Sequence, residues 1–154
     1  MSIVAILLNT INLILLIGIW GYAFKHYRQL PQTIPVHFDF DGKPDGYGNK
    51  KLFWVLPSLA LILYAGLRVA DMYPETGNYL VEITDENREF QYGLASAFTQ
   101  AMTFAIIALC FCAQEHIVKL QKDREANSRI PYWVFIILIF FLTMAFIIVS
   151  ASVK

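Results

Sequence analysis

The chain has 154 residues, a length for one domain, yet 57% of them are hydrophobic before its 8 glycines are counted and only 16% are charged. An average soluble domain holds about 45–50% apolar residues with glycine included and about 25% charged ones, so a water-facing globule is excluded. The balance of 12 basic and 12 acidic residues removes any net-charge case for binding nucleic acid.

The apolar residues fall in four blocks, 3–24, 52–70, 92–113 and 132–152. Each is close to the roughly 20 residues that cross about 30 Å of hydrocarbon as a helix. Lipid offers no partners for backbone polar groups, so spans of this length must be helical. The pattern predicts an all-α membrane protein, one domain over 1–154 built as a four-transmembrane-helix bundle in contact with the lipid bilayer. Block one lacks a basic leader and a small-x-small cleavage site, so it reads as a retained span rather than a signal peptide. Asn9 and Asn12 share one of its faces.

Between blocks one and two lies a Pro/Gly-rich loop over 30–51. Pro31 and Pro35 push their preceding residues away from α, so the chain leaves the first span extended. Ile34, Val36, Phe38 and Phe40 then alternate with Pro35, His37, Asp39 and Asp41, which is strand period. Asp41-Gly42 and Asp45-Gly46 supply turns, and at least one of Gly42, Gly46 and Gly48 should need a positive φ. The apolar side of this segment should lie against lipid or helix ends. Its donors do not make a metal site: Lys43 stands where a calcium loop needs a third ligand, and no glutamate closes the loop. No nucleophile has an adjacent base and no phosphate-cradling loop occurs, so the expectation is a protein without enzyme activity, metal or cofactor.

In block two, Arg68 lies one turn inside the span end, where its stem can snorkel outward with Asp71 at i+3 as partner. In block three, Ser96, Thr99, Gln100 and Thr103 form an i, i+3, i+4, i+7 stripe that should face inward and pack through hydrogen bonds, with Gln100 at the depth of Asn12. Cys110 and Cys112, two residues apart on a helix, cannot bridge each other and read as packing residues. From Cys112 to Arg129 there is no glycine or proline, and Glu115/Lys119 and Lys119/Asp123 are spaced at i,i+4. The third helix should therefore project two or three turns beyond the membrane as a solvated extension, ending before Pro131, whose fixed φ suits the first turn of the fourth.

The first connection carries Lys25, Arg28, Lys43, Lys50 and Lys51, and the third Lys119, Lys122, Arg124 and Arg129. The second has Arg88 alone beside Asp71, Glu75, Glu82, Asp85, Glu86 and Glu89. Basic residues are retained in the cytoplasm, so connections one and three should be cytoplasmic and both termini outside. Lys154 weakly opposes this.

The run from Leu30-Pro31 through Ile34-Pro35-Val36-His37-Phe38, followed by Gly42-Lys43-Pro44-Asp45-Gly46-Tyr47-Gly48-Asn49-Lys50, resembles a short bacterial domain of unknown function found at the N-terminus of the sporulation-delaying-protein immunity family. A weaker echo follows in Asp71, Pro74 and Asn78-Tyr79. The resemblance implies a protein of the bacterial cytoplasmic membrane whose relatives protect the cell from a membrane-acting peptide toxin, some of them also holding a repressor at the membrane. The chain stops after four spans, without that family's further C-terminal pair. Two roles therefore stand side by side: a toxin-immunity or signalling protein, with a peptide toxin as partner, and an accessory subunit partnered by other membrane subunits. The aromatic residues Phe104, Phe111, Tyr132, Trp133, Phe135, Phe140, Phe141 and Phe146 suit lipid and a partner surface equally well.

Overall fold

The computed structural model describes residues 3–39, 41–123, 126–128 and 130–153. Phe40, Arg124, Arg129 and Lys154, which entered the strand pattern and the charge count, lie outside the described residues. Helix α1 (Ile3–Tyr27) leads into a β-hairpin of β1 (Thr33–Phe38) and β2 (Pro44–Asn49). A 3₁₀ turn (Lys50–Trp54) then starts helix α2 (Val55–Met72), and α3 (Arg88–Leu120) and α4 (Tyr132–Ser152) complete the chain. All four helices are long and apolar enough to cross a membrane, and the protein is a multi-pass membrane protein. Large apolar side chains are exposed along them, among them Ile14, Ile62, Phe104 and Phe141, as a hydrocarbon solvent allows.

Helix α3 is the hub. At 33 residues it extends for roughly 50 Å at 1.5 Å per residue and packs on each of the other three helices. Its pairings with α1 advance in the same direction, from Asn12 against Gln100 to Tyr22 against Phe111, so the two helices run parallel. The rings of Phe98 and Phe146 stack at 4.5 Å, and His116 meets Tyr132, which makes α4 antiparallel to α3. One buried cluster joins Leu16, Ile19, Ala60, Ile107 and Cys110, and a second, at the hairpin end, joins Ala23, Leu30, Ile34, Phe53, Ile117 and Val118. Cys110 and Cys112 are buried and form no disulfide.

The local signals account for the boundaries. Pro31 and Pro35 follow the end of α1, and Ile34, before Pro35, adopts the extended backbone of β1. Pro57 sits in the first turn of α2, where a missing N–H is tolerated. Pro131 is the N-cap of α4, one residue before the helical turn expected to contain it. The turn of Asn49 is closed by its side chain accepting from the Lys51 N–H at 2.9 Å.

The extension of α3 differs from the solvated projection that its charges suggested. It ends at Leu120, two turns past 113, but Gln114, His116, Ile117, Val118 and Leu120 are buried. The hairpin folds back over it, so only one side meets water. Glu115 and Lys119 do approach, at 3.6 Å.

Candidate functional site

The hairpin is antiparallel, with Thr33 opposite Asn49, Ile34 opposite Gly48, Pro35 opposite Tyr47, His37 opposite Gly46 and Phe38 opposite Pro44. The register slips between Pro35 and His37 and again between His37 and Phe38, so Val36 on β1 and Asp45 on β2 are each an extra residue. Paired bulges of this kind re-aim side chains. Here they set Asp45 beside His37, and the His37 Nδ1–H donates to Asp45 Oδ1. A carboxylate only accepts, so Nε2 is the ring nitrogen left over on a side chain that is 73% exposed. Asp39 is engaged otherwise: its Oδ1 accepts from the Lys43 N–H at 2.7 Å, and its backbone closes the turn with Gly42 and Lys43. No three His, Cys, Asp or Glu side chains come together to hold a metal among the described residues.

The glycines divide by role. Gly42 has φ +80° and makes the turn after Asp41. Asp45-Gly46, expected to be a second turn, lies inside β2 instead. A Cβ on Gly46 would stand 2.9 Å from the His37 Cβ, and one on Gly48 would stand 2.8 Å from Leu52 Cδ1 and 3.2 Å from Val36. These two glycines permit close approach of strand to strand and of hairpin to helix, a demand that looks like turn chemistry in sequence.

The hairpin is clasped to the bundle by a residue that sequence reasoning did not single out. His116 is fully buried near the end of α3. Its Nε2–H donates to the Ala126 carbonyl at 2.9 Å, its Nδ1 accepts from the Tyr132 hydroxyl at 2.8 Å, and its ring stacks on Phe38 at 4.8 Å. One imidazole thus joins β1, α3, the third connection and α4. The only sequence signal was an ionisable ring in a segment otherwise read as a solvated helix. Ile34, Val36 and Phe38 line one apolar groove, as period two demands, while Pro35 on the opposite side is covered near Leu120 and Gln121. Pro31 lines that second depression. Lys50 donates to the Leu30 carbonyl at 3.4 Å, with its ammonium over the Tyr27 ring.

At the other end of the bundle Gln100 of the polar stripe enters a chain of interhelical hydrogen bonds, while the buried Ser96 hydroxyl has no hydrogen-bond partner among the described residues. Asn12 Nδ2 donates to Gln100 Oε1 at 3.1 Å and to the Gln100 carbonyl at 3.0 Å, and Gln100 Nε2 donates to Asp71 Oδ2 at 2.9 Å. Arg68 donates to the same oxygen at 2.9 Å, and the Asp71 side chain is 1% exposed. Asn9 accepts from the Tyr64 hydroxyl at 3.1 Å, whereas Thr103 spends its hydroxyl on the Thr99 carbonyl of its own helix. Ser96 lines a cleft of about 820 Å³ between α2 and α3, together with Arg68, Asp71, Arg88 and Tyr92. Beside this cleft the Tyr79 hydroxyl donates to the Pro74 carbonyl, and burial raises its pKa, with Tyr92 and Glu75 acting in the same direction. Two more amides were not anticipated: Gln91 is held by Ser150 and Val153 of the α4 end, and Gln114 is fully buried between the two core clusters.

A family model described as "Domain of unknown function (DUF1648)" matches residues 14–61, which run from the middle of α1 through the hairpin into α2. The chain is also similar to an uncharacterised protein of Archaeoglobus fulgidus, 26% identical over 145 residues, a match that covers 84% of this chain and 76% of that one. No solved structure matches.

Proposed function

We propose that this is a non-enzymatic membrane protein of the toxin-immunity or signalling type, acting through the hairpin from the cytoplasmic face of a bacterial cytoplasmic membrane. The observation that carries the reading is the way the hairpin is held. A segment that only linked two spans would need no buried clasp, yet His116, Phe38 and Tyr132 fix this one to three elements. The fixed segment presents His37, Asp45 and Tyr47, the last 65% exposed, as a preformed surface, and preformed surfaces bind with less ordering cost. The resemblance of 30–51 to the segment of the immunity family points the same way.

The test is sensitivity of cells to a membrane-acting peptide or a toxin encoded nearby. Loss of the protein should sensitise them, and His37→Ala or Pro35→Ala should weaken protection while the protein stays in the membrane. Full protection by both variants would sink the reading. A second reading, an accessory subunit, is favoured by α4, which packs on α3 and leaves Ile136, Phe140, Phe141 and Ile148 exposed. In that case a stoichiometric membrane partner co-purifies from native membrane and is lost when Phe140 and Phe141 are replaced by alanine. Turnover of a substrate by the purified chain would defeat both.

A further inference from the structure

We propose that the shoulder between the hairpin and α2 binds one anionic phospholipid, its phosphate at Lys51 and one acyl chain in the groove under β1. The groove has a volume of about 380 Å³ and is lined by apolar side chains alone, Ile34, Val36 and Phe38 from β1 with Leu52, Leu56 and Ile117 opposite. Ile34 at the floor of the groove is buried, but Val36, Leu52 and Val55 are 40%, 46% and 52% exposed, so the rim of the groove is covered by no other part of the described chain. Val55 also lines a second depression of about 330 Å³, which runs down α2 from Lys51 past Trp54 and Ser58 to Ile62. The two apolar tracks share Val55, and Lys51 lines the second and precedes Leu52 of the first, an arrangement that suits a two-chain lipid with its headgroup at the lysine.

The depth fits independently of the charge. Trp54 lies 5.8 Å from Trp20, 5.0 Å from Phe24 and 5.2 Å from Tyr27, and aromatic belts of this kind sit at the level of the headgroups. Lys51 is one turn from Trp54 on the side away from the hydrocarbon. Its neighbour Lys50 is engaged with Leu30 and Tyr27, and the hairpin carboxylates Asp39 and Asp45 are held by the Lys43 N–H and by His37. Lys51 is exposed and has no acidic partner among the described residues. A cation there, above an apolar groove in a lipid-facing surface, complements an anionic headgroup.

The experiment uses the full chain carrying Trp133→Phe, so that fluorescence reports Trp20 and Trp54, reconstituted with bromine-labelled phosphatidylglycerol or phosphatidylcholine. Quenching should favour phosphatidylglycerol about fivefold, the size expected of one lysine at an anionic surface. Lys51→Gln should abolish the preference, and Lys51→Arg and Lys43→Gln should keep it. Val36→Phe, which fills the groove, should weaken quenching by phosphatidylglycerol. Equal quenching by the two lipids, or a preference that survives Lys51→Gln, would overturn the proposal. So would displacement by soluble glycerol phosphate, which would make the ligand a free phosphate.

Discussion

Gly42 alone of the three hairpin glycines adopts a positive φ, so replacing it costs backbone strain, while replacing the others costs space. Gly42→Ala should lower stability by about 1–2 kcal/mol, the penalty for a Cβ in the left-handed region. Gly46→Ala should cost more, because the atom its Cβ meets at 2.9 Å is the His37 Cβ, which is fixed to the backbone and cannot swing aside. Gly48→Ala falls between, since Leu52 Cδ1 ends a flexible side chain. Thermal unfolding in detergent should rank the three accordingly, and Gly48→Ala as the most damaging would contradict the geometry. At the other end, a double-mutant cycle on Asn12→Ala and Gln100→Ala should give a coupling of about 0.6 kcal/mol and at most about 2, as for other interhelical bonds in membranes. This pair was legible from two polar stripes at equal depth. The clash that requires Gly46 was not, because it depends on strand pairing across a bulge that local residue types do not encode.

Elements were read unevenly for a physical reason. Four apolar blocks announce four helices because lipid leaves the backbone no alternative, and β1 showed in the alternation of Ile34, Val36 and Phe38. β2 did not, since Pro44-Asp45-Gly46-Tyr47-Gly48-Asn49 has turn composition and becomes a strand only by pairing with β1. The clasp was hidden for the same reason: a helix with Glu115, Lys119 and Asp123 looks solvated until another element folds over it. The hairpin's order should therefore depend on His116. Tyr132→Phe, which deletes one hydrogen bond, should cost about 1 kcal/mol. His116→Leu removes both bonds and leaves the Ala126 carbonyl without its donor, so hydrogen exchange should accelerate across 33–49 while the middle of α3 stays protected. Unchanged exchange in the hairpin of His116→Leu would show that the strands hold themselves in place.

At the scale of the whole molecule, the hub position of α3 ties the two polar regions to opposite ends of one helix. Gln91, Gln100 and Asp71 mark one end, and His116 with the hairpin marks the other. Whichever side of the membrane holds the hairpin, the Arg68 cleft must face the opposite side. The charge counts choose between the two insertions. The hairpin end has Lys25, Arg28, Lys43, Lys50 and Lys51, together with Lys119 and Lys122 at the end of α3, whereas at the opposite end the stretch 68–89 has only Arg68 and Arg88 beside Asp71, Glu75, Glu82, Asp85, Glu86 and Glu89. Translocating the hairpin would carry all of those cations across, so the expected insertion keeps it in the cytoplasm and puts the cleft and both termini outside. Single cysteines test this in intact cells once Cys110 and Cys112, both buried, are replaced by serine. A membrane-impermeant maleimide should label Asn78→Cys directly and Asp45→Cys only after the cells are permeabilised. The reverse pattern would turn the molecule over, moving the hairpin out of reach of any cytoplasmic partner and the lipid site into the outer leaflet.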